Sequence, residues 1–448
     1  MNKASIPSSP LSAERSPWLR GPIRLPGDPT LSALALILAA MARGESVLDN
    51  LTPGAETAAT AEVLRALGAH VAPAGRCWHV QGLGVGGLLT PSAPLPMAEA
   101  GAAAPLLVGL IAGHDMAVEF EGLAGDAANE ALLGFLRRNG CRVERDGSRT
   151  LICGPRFGVP FDLALPAAAQ DLVAPLLLNG LVTVGRSHLN LPAGSYDAAI
   201  DLVAAFGGRI GMSEDANGLQ VTLEGLAPLR AQALTVPGDP RLAVYPAVAA
   251  LIAPDSEITL NGVALTPRGL ALFDALALMG GDIGIGAAQK GGADIVVRHG
   301  GLSGAVLPAE LGIAPEDFPI LCIAAAFASG ETRLDGLGEG VRRLALTRAL
   351  RANGIDCVEQ QGGLLVRGSK RVPGGGKVVP RLDPKLAMAF LVLGMAADQA
   401  VSIEDGTVMD EVFPDFVSAF EHVGASFSTD PAAGAAVSSA AISGGSGA

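Results

Sequence analysis

Two adjacent carboxylates and three cations are the residues of this chain best suited to acid–base chemistry and anion binding. Glu316 and Asp317 precede an apolar run, and Arg342, Arg343 and Lys385 follow in the same half of the chain. A carboxylate can take a proton from a hydroxyl group, and Arg or Lys can neutralise a phosphate or carboxylate. The alternative is that the acids satisfy a helix N-terminus and the cations are solvated surface charges.

Two uncharged polar side chains suggest a second kind of binding. Thr30 carries a hydroxyl group and Gln170 an amide, and both stand beside apolar segments. Such groups exchange hydrogen bonds without adding charge, which suits a polyol. The candidates therefore predict a small anion or a polyol as ligand, with an ordinary solvated surface as the alternative.

The charge balance argues against several classes of partner. With 31 basic and 44 acidic residues the net charge is −13, and the chain of 448 residues has only five lysines. Nucleic-acid binding needs clustered Lys and Arg, so we expect none. No apolar run approaches bilayer length, and the N-terminus has no signal-peptide core. We therefore expect a cytoplasmic protein with no membrane contact.

The spacing of Cys and His residues argues against a metal or redox site. The five cysteines are scattered without a CxxC pattern, and the six histidines show no paired metal-ligand spacing. Reduced, buried thiols in a cytoplasmic protein explain this pattern best. We expect no metal and no cofactor.

Six copies of one pattern run along the chain. Each copy has an apolar helix, an alternating strand, an amphipathic helix and a Gly before a further strand. The predicted apolar helices are Leu31–Ala42, Pro105–Ala112, Pro175–Val182, Ala247–Ala253, Ile320–Phe327 and Ala389–Ala396. The Gly residues are Gly68, Gly140, Gly207, Gly280, Gly354 and Gly424. Apolarity on all sides predicts buried core helices, and a Gly in that position is typical of a helix C-cap.

Two Pro-Gly-Asp-Pro turns divide these copies into two groups of three. One turn, Pro26–Pro29, precedes the first copy, and the other, Pro237–Pro240, precedes the fourth. This arrangement predicts an α/β protein with one domain over residues 25–235 and another over 1–24 plus 236–428. Residues 429–448 are rich in Ala, Gly and Ser and are predicted to be a disordered tail. A cleft between two domains is a favoured ligand site.

Several motifs resemble the 5-enolpyruvylshikimate-3-phosphate (EPSP) synthase family. Four segments show this resemblance: Val236–Pro240 with the segment that begins at Tyr245, Phe318–Phe327, Leu386–Ala396 and Val412–Phe416. The match spans residues 21–427. The resemblance implies the enolpyruvyl transferase fold, an inside-out α/β barrel of two domains with three βαβαββ repeats each. It also implies transfer of an enolpyruvyl group from phosphoenolpyruvate to shikimate 3-phosphate, a step of aromatic amino-acid biosynthesis, without a cofactor.

Many charged positions of that family are replaced in this chain. Cations of the family correspond to positions filled here by Pro29, Leu34, Pro105, Leu132 and Tyr196. The resemblance retains other candidates. Glu316 and Glu339 take the catalytic positions, and Thr30, Gln170, Asp197, Arg342, Arg343 and Lys385 take the substrate-binding positions. Lys385 stands where the family has Arg, so it keeps the charge and loses the bidentate fork.

These losses favour a change of function. A charge-assisted hydrogen bond contributes roughly 1.5–3 kcal/mol, so losing four costs roughly 6–12 kcal/mol. We therefore expect an impaired paralogue acting as a binding or partner protein, either a monomer or associated with another protein. The alternatives are an active enolpyruvyl transferase with an altered acceptor and an ordinary 3-phosphoshikimate 1-carboxyvinyltransferase. Each would hold an anionic or polyol small molecule in the interdomain cleft.

Overall fold

The computed structural model describes residues 9–193, 195, 197–216, 218–288, 292–381 and 383–429. The predicted tail lies outside the described residues from position 430 onward, as does Tyr196.

Twelve α-helices form within the described ranges. They are α1 (Pro29–Met41), α2 (Ala55–Ala66), α3 (Ala103–Ala112), α4 (Ala127–Arg138), α5 (Val173–Leu181), α6 (Ala198–Ala205), α7 (Pro240–Ile252), α8 (Pro267–Leu278), α9 (Phe318–Ala326), α10 (Val341–Ala352), α11 (Pro384–Gly394) and α12 (Phe416–His422).

The described residues also contain 24 β-strands. They are β1 (Leu11–Glu14), β2 (Arg20–Ile23), β3 (Arg43–Asp49), β4 (His70–Ala74), β5 (Cys77–Leu83), β6 (Leu95–Pro96), β7 (Ala117–Glu121), β8 (Arg142–Asp146), β9 (Arg149–Cys153), β10 (Asp162–Ala164), β11 (Arg186–Leu191), β12 (Arg209–Asp215), β13 (Gly218–Glu224), β14 (Ala233–Thr235), β15 (Glu257–Ala264), β16 (Asp282–Ile285), β17 (Gly292–Arg298), β18 (Val306–Leu307), β19 (Glu331–Asp335), β20 (Asp356–Gln360), β21 (Gly363–Arg367), β22 (Lys377–Val378), β23 (Val401–Ile403) and β24 (Ser426–Ser428).

The strands assemble into six four-stranded sheets, each with one parallel and two antiparallel pairs. Their orders are β14-β3-β5-β4, β6-β7-β9-β8, β10-β11-β13-β12, β16-β17-β15-β2, β18-β19-β21-β20 and β22-β23-β1-β24. The six sheets of one type correspond to the six copies of the sequence pattern. The first sheet of each group of three is completed by a strand from elsewhere in the chain, since β14 pairs with β3 and β2 pairs with β15.

The predicted core helices are confirmed as the most buried elements. All nine residues of α9 are buried, as are nine of the ten residues of α3 and eleven of the thirteen residues of α1. These helices lack a polar face, so each must be covered on every side by sheets and other helices. The six predicted C-cap glycines are also confirmed, because all six have positive φ angles, from 75° at Gly354 to 109° at Gly424.

The buried apolar residues separate into two clusters. One runs from Leu31 to Val236 with Ala264, and the other joins Leu11–Leu25 to residues 242–425. We keep the predicted boundaries, 25–235 and 1–24 plus 236–428, as a proposal that this division supports. The chain passes between the clusters at the two Pro-Gly-Asp-Pro turns.

Candidate functional site

The two Pro-Gly-Asp-Pro turns are hydrogen-bonded to each other. The amide of Asp28 donates to the carbonyl of Pro237 at 2.9 Å, and the amide of Asp239 donates to that of Pro26 at 2.8 Å. Each Asp then caps a helix: Asp28 accepts from the Leu31 amide at the start of α1, and Asp239 from an amide at the start of α7. The turns therefore bring the N-termini of two buried helices together at the domain junction.

This junction is rich in carboxylates that the protein desolvates. Burial raises the pKa of Asp28 to about 7, and repulsion from Asp239 and Asp197 adds to the effect. Burial likewise raises the pKa of Asp197 to about 6 and that of Asp239 above its usual value. Above these pKa values the junction carries buried negative charge, which disfavours a phosphate group bound against it.

Arg241 joins the two predicted acids from the first turn of α7. Its Nη2 lies 2.7 Å from Glu316 Oε1 and 2.9 Å from Asp317 Oδ2. The Asp317 side chain is only 4% exposed. Asp317 stands at the N-terminus of α9 without a capping hydrogen bond from its side chain. The helix-capping interpretation is therefore wrong for Asp317, whose carboxylate instead binds cations.

Lys385 reaches the same carboxylate from α11. Its Nζ forms an ion pair with Asp317 Oδ1, and its side chain is 14% exposed. The solvated-surface interpretation is therefore wrong for Lys385. Burial lowers the pKa of Lys385, partly offset by the attraction of Asp317, and Arg241 lowers it further. A lysine of this kind gives up a proton more readily than a free one.

Glu316 is held in its ionised form by its neighbours. Burial opposes ionisation, but the Glu316 amide together with Lys385 and Arg241 outweighs burial and lowers the pKa of the carboxyl group. Arg342 also approaches, with Nη1 at 3.5 Å from Glu316 Oε2 and Nε at 3.4 Å from Asp383 Oδ2. An ionised carboxylate beside a proton-releasing amine provides both partners of an acid–base pair.

Part of this group lines a cavity of about 620 Å³, whereas Arg241 and Asp317 are not in its wall. Its wall includes Glu316, Arg342, Arg381, Asp383 and Lys385. The structure thus brings together three of the predicted site residues: Glu316, Arg342 and Lys385. Every cation in this group except Arg381 already contacts a carboxylate, so an incoming anion must compete for them.

Glu339 and Arg343 lie apart from this group. The Glu339 side chain is 80% exposed and pairs with Arg343 at 3.7 Å, and Arg343 also contacts Glu359 at 3.3 Å. Neither residue lines the cavity around Lys385. Arg343 is 12% exposed at its side chain and links α10 to β20 instead.

The predicted residues of the other domain also lie outside this cavity. Gln170 donates to the Ser195 hydroxyl group at 3.1 Å, Asp197 caps α6, and Thr30 is exposed in the first turn of α1. Asp197 shares the electrostatic field of Asp28, which places it towards the junction. These three side chains provide a hydroxyl, an amide and a carboxylate group, and none of the three is a cation.

The positions that the resemblance fills with cations are apolar in the folded chain. Leu34 and Leu132 are fully buried in the core of the first domain, and Pro29 and Pro105 begin or lie within helices α1 and α3. The leucines have become packing residues, so no positive charge is available at these places.

Sequence reasoning missed Arg241 and Arg381. Arg241 directly follows Pro237–Pro240 and stands in the first turn of a helix, where the helix dipole disfavours a cation. A cation at this unfavourable position indicates that it has a specific anionic partner, and this was the signal in the sequence. Arg381 gave no comparable signal, because its importance comes from a cavity wall formed by distant segments.

Two further observations concern all described parts of the chain. No helix there is long and apolar enough to cross a bilayer. No three His, Cys, Asp or Glu side chains there gather as metal ligands.

Comparison with known proteins gives consistent matches over nearly the whole chain. The profile of the family described as EPSP synthase (3-phosphoshikimate 1-carboxyvinyltransferase) matches residues 14–420. A protein of that name from Parvibaculum lavamentivorans is 38% identical over 438 residues, covering 94% of this chain and 97% of the relative. Another from Chelativorans sp. is 35% identical, covering 94% of this chain and 98% of the relative.

Solved structures give the same result for the fold. EPSP synthase from Acinetobacter baumannii superimposes with a TM-score of 0.77 at 25% identity, covering 94% of this chain and 99% of that one. The enolpyruvyl transferase NikO from Streptomyces tendae gives a TM-score of 0.70 at 19% identity, covering 94% and 99%. The predicted two-domain enolpyruvyl transferase fold is confirmed, and the chain belongs to the EPSP synthase family.

Proposed function

We propose that this chain is an active enolpyruvyl transferase whose acceptor is a polyol without a phosphate group. This reverses the expectation of an impaired binding protein, because nothing in the comparisons supports a loss of activity. The observation that carries the proposal is that Glu316 and Lys385 line one cavity. Arg241 and Asp317, which are ion-paired to them, lie directly behind. An acid–base pair and cations that bind the donor are therefore present. The positions that would hold cations for an acceptor phosphate are filled by Leu34 and Leu132.

The proposed roles follow from the charge states of the groups. Glu316 is ionised and accepts the proton of the acceptor hydroxyl group as its oxygen forms a bond to C2 of phosphoenolpyruvate. Lys385, with its lowered pKa, donates a proton to C3. The neutral Lys385 amine then takes a proton back from C3 as the bond between C2 and the phosphate oxygen breaks, and the leaving phosphate takes up the proton that Glu316 had accepted. Inorganic phosphate leaves, and the products are an enolpyruvyl ether and phosphate.

Arg241 and Arg342 would bind the anionic donor. Both are guanidinium groups within reach of Glu316, and such forks suit carboxylate and phosphate oxygens. On the acceptor side, Thr30 and Gln170 offer neutral hydrogen-bonding groups. A cytoplasmic location is part of the proposal, since phosphoenolpyruvate is a metabolite of that compartment.

A measurement of phosphate release tests the proposal. The protein is incubated with phosphoenolpyruvate and, in separate arms, shikimate 3-phosphate, shikimate or uncharged cyclic polyols. We expect release with an unphosphorylated acceptor and little with shikimate 3-phosphate. Glu316→Gln and Lys385→Met should abolish release, and the exposed control Lys370→Ala should leave it unchanged.

A second candidate, a binding protein without turnover, is favoured by one observation. Arg241, Arg342 and Lys385 are already paired with carboxylates. Calorimetric binding of phosphoenolpyruvate without phosphate release in any arm would support this candidate. Rapid release with shikimate 3-phosphate would instead identify an ordinary 3-phosphoshikimate 1-carboxyvinyltransferase and refute the altered acceptor.

A further inference from the structure

A second depression lies beside the candidate site, between α10 and β22. Its volume is about 320 Å³, at the lower end of the range typical of small-molecule sites. It shares Val341, Ala345 and Arg381 with the larger cavity around Lys385. We call it the α10–β22 groove.

Three unpaired cations line this groove. Arg348, Lys377 and Arg381 all belong to its wall, and none of them makes a side-chain ion pair or hydrogen bond within the described part of the chain. No Asp or Glu is among the lining residues. Most other arginines of this domain are paired, including Arg342 and Arg367. Three free cations in one groove of a chain with net charge −13 form a local positive field.

The floor of the groove is apolar and open to solvent. Val341 is 73% exposed, Leu344 48% and Val379 47%. Exposed branched side chains next to free cations are complementary to a ligand with an apolar body and an anionic head group. The volume of the groove suits a small molecule, and β22 has only two residues, which offers little edge for pairing with a peptide strand.

Arg381 has an unusual backbone conformation. Its φ angle is +47°, in the left-handed region that residues other than Gly rarely adopt. Such conformations cluster at functional sites. Here the conformation sets Arg381 on the wall between the two cavities, where its guanidinium group can meet an anion from either side.

We propose that the α10–β22 groove binds a small organic anion with an apolar body, whose carboxylate or phosphate ester is held by Arg348, Lys377 and Arg381. This site is separate from enolpyruvyl transfer. Its occupancy requires no turnover at the neighbouring cavity.

Isothermal titration with three eight-carbon probes tests the proposal. Octanoate and octyl phosphate carry an anionic head, and octanamide is neutral. We expect both anions to bind the wild-type chain and octanamide to bind at least about tenfold more weakly. The ratio of the two anion affinities distinguishes a carboxylate site from a phosphate site.

Variants of the groove identify where the probes bind. Arg348→Ala, Lys377→Ala and Arg381→Ala should each weaken octanoate binding about tenfold, and Val341→Asp should weaken it by repulsion. Lys370→Ala removes an exposed cation outside the groove and should change nothing. All these side chains are at the surface, and thermal melting checks that each variant is folded.

Three results would overturn the inference. Equal affinity for octanamide and octanoate would show an apolar patch without an anion site. Unchanged octanoate binding in all the groove variants would place the site elsewhere. Binding of an acidic peptide without binding of octanoate or octyl phosphate would show a protein-docking surface instead.

Discussion

Two nitrogens of Arg241 in helix α7 contact one oxygen of Asp317, the residue before helix α9, with Nε at 3.0 Å and Nη2 at 2.9 Å from Asp317 Oδ2. Asp317 is almost fully buried and has no capping role. Two cations, Arg241 and Lys385, therefore compensate one desolvated carboxylate. This arrangement makes the site part of the packing of the second domain and not an addition to its surface.

Removing Arg241 should destabilise the protein. Arg241→Ala leaves Asp317 buried with Lys385 as its remaining ionic partner, and we expect a loss of roughly 2 kcal/mol or more. Urea unfolding measures the change at constant m-value. Arg367→Ala, which removes an exposed arginine paired with Glu331 and Asp356, should cost less than about 1 kcal/mol. Equal losses in the two variants would contradict a special role for Arg241.

Replacing Asp28 should stabilise the protein at alkaline pH. The raised pKa of Asp28, about 7 against 3.8 in the unfolded chain, means that the folded state holds its proton more tightly. The stabilisation from this proton is complete below pH 3.8 and is lost as the pH rises through 7. Asp28→Asn keeps a capping side chain and removes the charge, so we expect a gain of at most about 4 kcal/mol at pH 8.

The pH dependence of that gain is the decisive measurement. The difference in unfolding free energy between Asp28→Asn and the wild-type chain should be clearly smaller at pH 5 than at pH 8. Asp126→Asn, an exchange at the exposed N-cap of α4, measures the cost of changing a cap alone. A gain of the same size at both pH values would show that the charge of Asp28 is not the cause.

A methyl group at Gly27 should strain the domain junction. A Cβ there would stand 2.0 Å from the carbonyl oxygen of Asn50, and the Asn50 side chain binds the carbonyls of Leu25 and Val236 in both crossing segments. We expect Gly27→Ala to cost about 1–3 kcal/mol. In contrast, Gly211→Ala, where a Cβ meets nothing within 4 Å, should leave the melting temperature nearly unchanged.

Restoring a family cation at Leu132 should damage the fold without creating synthase activity. Leu132 is fully buried in α4, and an Arg there would bring an unpaired charge into the core, at a cost of roughly 3–5 kcal/mol. Leu278→Arg on the exposed side of α8 is the matched control and should be nearly neutral. A stable Leu132→Arg variant that turns over shikimate 3-phosphate would contradict both the packing argument and the altered acceptor.

Much of the fold could be predicted because its determinants are local. A helix without a polar face, such as the one predicted at Ile320–Phe327, can only be stable inside a core, and the structure buries every residue of the corresponding helix α9. Residues 117–121 alternate in polarity and form β7, in which Val118 and Phe120 are buried. Period-two alternation determines which residues of a strand face the core, wherever that strand is placed.

The candidate site could be predicted only in part, because ion pairs depend on distance in space. Glu316, Arg342 and Lys385 do share a cavity, but the sequence equally allowed Glu339 and Arg343 to join them, and they pair with each other instead. The family resemblance indicated which positions belong to the site, but it did not indicate which charged residues pair with each other.

By itself the sequence determined the repeat, the helix caps and the loss of cations at Leu34 and Leu132, since each depends on residue type and local spacing. Only the tertiary structure decided that Arg241 neutralises Glu316 and Asp317, more than seventy residues away in the chain. It likewise decided that Arg381 lines two cavities without an ion pair to any of the described residues. The physical reason is that a charge interacts with whatever lies within a few ångströms of it, and packing of separate repeats sets those distances.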